Sequence, residues 1–124
     1  MKPTTLIAAL LLVGFASVVY AKRGAPAKVP SLQTDAIEYR VSHQQMGCVQ
    51  AWDTKHDQLL WQRQIYVVKY LPELERDVQD VFITSIQKEG NQLRILNERK
   101  SEYLLDLETL QVKVVKGTLI ESTK

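Results

Sequence analysis

The sequence predicts an all-β fold, with about seven antiparallel strands in meanders forming a small sandwich or a partly open barrel. Three observations predict it. Short apolar runs alternate with polar residues at a period of two, and clusters of turn-forming residues punctuate the chain about every 8 to 12 positions. No amphipathic helix of three turns can be drawn after residue 21.

Fold reasoning starts after the first 21 residues. Lys2 supplies a positive start, Leu6 to Val13 an apolar run, and Val19-Tyr20-Ala21 a small-x-small cleavage site. Residues 1–21 therefore read as a signal peptide, and the protein as exported, periplasmic or secreted. A retained anchor is the competing reading, because Leu6 to Ala21 falls just short of the roughly 17 residues needed to span a bilayer. Once the leader is removed, no membrane association is expected. The remaining 103 residues can bury a core without staples. Cys48 is the single cysteine, so no intrachain disulfide can form. It reads as a small buried hydrophobe or as half of an intermolecular disulfide.

The elements follow in order. Residues 22–34, with Gly24, Pro26 and Pro30, read as a flexible linker. A single β domain spans 35–121, with 122–124 as a tail. Ile37, Tyr39 and Val41 alternate with polar neighbours and predict the first strand. Cys48 to Asp53 and Gln58 to Tyr70 predict the second and third, joined by Thr54-Lys55-His56-Asp57. The third run is apolar on both parities, which predicts a central strand or one that bends between two surfaces. Pro72 ends it, and residues 72–77 carry a plausible helical turn. Strands over 80–87, 92–96, 102–107 and 111–116 complete the count, with Lys88-Glu89-Gly90-Asn91 as the clearest hairpin turn.

Val49 to Ile65 has an echo from Tyr103 to Val115. An offset of 53 residues places Asp53 on Asp106, Trp52 on Leu105 and Gln58 on Gln111. Ala51-x-Asp53 followed by Leu60-Trp61 resembles the blade repeat of quinoprotein (PQQ)-type β-propellers. Val81 to Ser85, with Gly90, Leu93 and Tyr103 to Thr109, looks like a second such blade. The resemblance covers about 49–115 and implies propeller-blade-like units. It departs at the turn, where the family's Thr-Gly is replaced by His56-Asp57 and Thr109-Leu110. It also supplies fewer than two blades where closure needs about four to eight, so it implies no quinone site.

The 16 basic and 14 acidic residues are interspersed, giving a net charge of +2 and excluding nucleic acid as an expected partner. No Gly-x-Ser-x-Gly, His-Glu-x-x-His, P-loop or dinucleotide fingerprint occurs. No catalytic residue, cofactor or metal site is therefore assigned, and the protein is not expected to be an enzyme. Trp52, Trp61, Tyr66 and Tyr70 are candidates for an interaction surface, weighed against ordinary cross-strand packing. Asp53, Asp106 and Gly90 are expected to fix turns. The acids Glu73, Glu75, Asp77 and Asp80 invite a cation-site reading but lack the oxygen spacing of a calcium loop.

The expected function is a non-catalytic binding or assembly module, pairing with a protein partner or with itself through strand edges. One alternative is a periplasmic metal-handling or redox protein using Cys48 with His43 or His56. The other is an inhibitor of a secreted hydrolase.

Overall fold

Period-two alternation becomes ten strands in a computed structural model, which describes residues 24–122. The predicted leader lies outside the described residues. The strands are β1 (Leu32–Thr34), β2 (Ile37–Arg40), β3 (Cys48–Asp53), β4 (Gln58–Gln64) and β5 (Val67–Lys69). They continue with β6 (Ile83–Glu89), β7 (Gln92–Asn97), β8 (Glu102–Asp106), β9 (Val112–Lys116) and β10 (Ile120–Ser122). β1 to β4 form one antiparallel meander and β6 to β9 another, each in sequence order. β5 and β10 pair in parallel as a two-stranded ribbon. The fold is all-β and the sheets are not closed into a barrel.

The two meanders share one core. Tyr39, Val49 and Ala51 of the first meet Leu93, Ile95, Tyr103 and Leu105 of the second. The 53-residue offset gives this packing its sense. It maps buried Ala51 onto half-buried Leu104, and half-buried Trp52 onto buried Leu105. Along β3 and β8 the equivalent positions therefore bury opposite faces, the relation expected of units stacked front to back. The backbone repeats as well. Gly47 and Lys100, 53 residues apart, both take positive φ (72° and 66°), as do Asp57 and Leu110 (51° and 63°).

Three expectations change, and one choice between alternatives is decided. The linker over 22–34 holds β1, and Val29 in the same segment is buried, so ordered structure begins before residue 35. Its apolar positions are few, but β2 offers a free edge and the core offers a slot. Of the two readings of the third run, the bend holds and the central strand does not. It ends as edge strand β4, and the chain bends at Ile65 and Tyr66, two consecutive buried residues that a strand with one buried face cannot accommodate. Gly47 makes this corner: its carbonyl accepts from Ile65 N–H at 2.7 Å, and a Cβ there would be driven into the Tyr66 carbonyl. Residues 72–77 form turns and no helix, because one and a half turns cannot hold themselves. Ser122, placed in the tail by sequence, closes β10.

Candidate interaction surface

Alternation along a strand sends neighbouring side chains to opposite faces, and this disperses the four candidate aromatics. Trp52 lies half-buried, donating its indole N–H to Gln50 Oε1 at 3.0 Å with the Arg40 guanidinium 4.6 Å above its ring. Trp61 packs against the core and tilts onto Tyr39 with ring centroids 6.1 Å apart. Tyr66 is buried, stacked on Tyr103 at 5.5 Å, and donates its hydroxyl to Val81 O at 2.5 Å. Tyr70 donates to Asp80 Oδ1 at 2.6 Å beneath the Arg76 guanidinium, and burial with that carboxylate pushes its phenol up to about 12. The four do not form one surface, and Tyr66 belongs to the core.

The turn residues occupy matching places. Asp53 Oδ1 accepts from the backbone N–H of Lys55 and His56, and Asp106 Oδ1 from those of Glu108 and Thr109. A carboxylate that accepts two N–H groups stabilises its own charge. The His56 ring lowers the Asp53 carboxyl, and the Thr109 and Glu108 amides lower that of Asp106. Gly90 (φ 60°) is the first of the two residues joining β6 to β7, where a primed hairpin turn requires positive φ.

His43, Cys48 and His56 are held apart by separate partners. The His43 ring contacts Ala27 O at 2.9 Å and meets Phe82 edge-on. His56 pairs with Asp53 at 2.9 Å on the exposed β3–β4 turn. Cys48 is buried at the other end of β3, its thiol directed at Gln64 Oε1 at 3.3 Å, and burial pushes its pKa up. An intermolecular disulfide would need that thiol at the surface. Among the described residues no three His, Cys, Asp or Glu side chains gather to hold an ion.

Polar chains run across both outer sheet faces. On the first, Ser31 donates to Glu38, Arg40 pairs with Glu38, and Gln50 links Trp52 to Gln62. On the second, Arg94 pairs with Glu89 and Glu102. Of the exposed large apolar side chains, Leu59 shares the first of these faces with its cross-strand partner Trp52, and most of the rest lie at edges and connections. Leu59 and Leu60 sit on β4, Val67, Leu119 and Ile120 on and beside the β5–β10 ribbon, Val115 on β9, and Leu71, Leu74 and Val78 on the β5–β6 connection. A cleft of about 340 Å³, lined by Arg63, Ile65, Val67, Val112 and Leu119, separates the ribbon from the sheet ends.

Sequence reasoning missed two residues. Gln79 is buried and clamps the β5–β6 connection: its carbonyl accepts from Leu71 N–H, and its amide donates to the carbonyls of Leu71, Leu74 and Glu75. Glu121 is 5% exposed and accepts from Tyr103 Oη and Asn97 Nδ2. Burial pushes its carboxyl up, but the hydrogen bonds from Tyr103, Ser101 and Asn97 and the Arg99 charge outweigh that and leave it lowered. A single polar residue in a loop or a terminal strand carries no periodic signal, which is why neither was found.

No protein-family model matches the chain, and no characterised protein matches it either.

Proposed function

We propose that this chain is a small exported β domain that works by binding or assembly and not by catalysis, built of two units that resemble quinoprotein-type propeller blades. The observation that carries the reading is the distribution of exposed apolar surface. It is concentrated on strand edges and connections, while hydrogen bonds and ion pairs run across the sheet faces. Such apolar edges are templates for a further strand. The blade likeness draws support from two four-stranded meanders stacked in the same sense with an Asp-led turn between the third and fourth strands of each.

The test is cross-linking capture from the native envelope fraction, with the wild-type chain as bait and a Leu59→Lys, Leu74→Asp double variant as control. A specific partner, including a second copy, that the wild type captures and the variant loses is the expected result. Equal capture by both, or none by either, overturns the reading.

One observation favours a second reading, inhibition of a secreted hydrolase. The Gln79 clamp holds Leu71 and Leu74 exposed on a pre-ordered connection, and pre-ordering is what lowers the entropy cost of binding for a contact loop. Titration against a panel of secreted proteases and glycosidases tests it, and undiminished activity throughout removes it.

A further inference from the structure

We propose that the cleft between the β5–β10 ribbon and the sheet ends is a peptide site: it takes the C-terminus of a partner chain that ends in an apolar residue, with the terminal carboxylate on Arg63. This rests on the binding-module reading and names the partner chemistry of the ribbon.

The wall of the cleft is apolar. Val67 and Ile120 are register partners across the parallel ribbon, so their side chains stand on one face, and each is 51% exposed. Leu119 beside them is 46% exposed, and half-buried Val112 of β9 adds to the lining. The volume of about 340 Å³ falls near the lower end of the range for ligand pockets, about 300–1,000 Å³.

Arg63 is the one charged residue of the lining. Its Nε donates to Leu110 O at 2.8 Å and its Nη1 to Gln64 O at 2.9 Å, so two backbone carbonyls fix the guanidinium before any ligand arrives. Neutral carbonyls leave its charge whole. Arg40 and Arg94 pair with glutamates, whereas Arg63 meets no carboxylate among the described residues, and its Nη2 donates to none of their acceptors. A guanidinium already oriented loses little freedom on pairing with a planar carboxylate.

Charge and shape select the occupant. One guanidinium balances one negative charge, which favours a carboxylate over a doubly charged phosphate. The half-exposed wall covers one side of whatever lies on it, so a free fatty acid would leave much of its tail in water. A peptide end avoids that cost. Only its last side chain has to rest on the wall, and its backbone can add to β5 or β10, which pair with no strand but each other among the described residues.

Fluorescence anisotropy tests this with fluorescein-labelled hexapeptides ending in valine and leucine, each made as the free acid and as the C-terminal amide, with decanoate as competitor. The free acid should bind the wild-type chain saturably, and the amide about tenfold more weakly, because the charge-assisted pair is lost. Arg63→Gln should weaken the free acid by a similar factor and bring it level with the amide. If Arg63→Gln fails to fold because Leu110 O loses its donor, Ile120→Glu sets a like charge at an exposed position of the same site and should weaken the acid as much. No saturable binding, equal binding of acid and amide, or binding indifferent to both variants overturns the proposal. Decanoate that displaces the peptide at equal or lower concentration overturns the choice of a peptide. A free acid that does not bind, while a specific envelope protein is still captured, overturns this site alone and leaves the binding reading standing.

Discussion

Lys100 and Gly47 occupy equivalent corners with positive φ, but only one of them is glycine. A side chain in the left-handed region costs about 1–2 kcal/mol. Exposed Lys100 has no packing to lose, so Lys100→Gly should stabilise the domain by about 1 kcal/mol, read as a rise in the urea midpoint at unchanged slope. The opposite change at the other corner, Gly47→Ala, should be strongly destabilising because the new Cβ meets the Tyr66 backbone.

Glu121 makes the second residue-scale prediction. Glu121→Ala leaves Asn97 Nδ2 without its acceptor in a buried site, at a cost of about 2 kcal/mol by chemical denaturation. Its folded pKa lies below the ordinary 4.5, as do those of Glu38, Asp53 and Asp106 below their own values. Each then contributes stability that is present above its unfolded pKa and is lost as pH falls through the lower folded value. The denaturation midpoint should therefore hold near neutrality and decline below about pH 4.5. Glu121→Gln should make that decline shallower.

At the scale of the element, the β5–β6 connection depends on one side chain. Gln79→Ala removes four hydrogen bonds to the segment from Leu71 to Glu75. Amide exchange across 71–75 and proteolytic nicking there should rise, while β7 and β8 keep their protection because their buried Leu93, Ile95, Tyr103 and Leu105 belong to the core cluster shared by the two meanders. The same scale separates what the sequence could say from what it could not. Alternation in Ile37 to Arg40, Cys48 to Asp53 and Gln92 to Asn97 identified those strands, and Asp-led turns marked two hairpins. β4 and β5 form one continuous run in the sequence because both carry apolar residues. The break between them depends on Gly47, eighteen residues away from Ile65, receiving the corner. β1 and β10 are three residues long, too short for any period to register.

The whole molecule raises the question of where stacking stops. Front-to-back packing of two repeats presents one unused face at each end, and contacts of this sense propagate into rings or filaments unless those faces are capped. The Glu38–Arg40–Trp52–Gln50–Gln62 chain and the Glu89–Arg94–Glu102 pairs are such caps, polar where the buried faces are apolar. Replacing Arg94 and Glu102 together with leucine should therefore produce assemblies larger than a dimer, whereas the wild type should form none. Light scattering on the eluting protein checks both.

The sequence by itself determined the all-β class, most strands of both meanders, the turn roles of Asp53, Asp106 and Gly90, and the 53-residue echo. These are local properties, written in the alternation of neighbours and in residues whose backbone demands are fixed. Only the tertiary structure decided that Tyr66 is core and not surface, that Cys48 is sealed, and that Glu121 and Gln79 anchor the chain. Each of those depends on which distant segment covers a residue, and the pattern of a strand does not record what lies across from it.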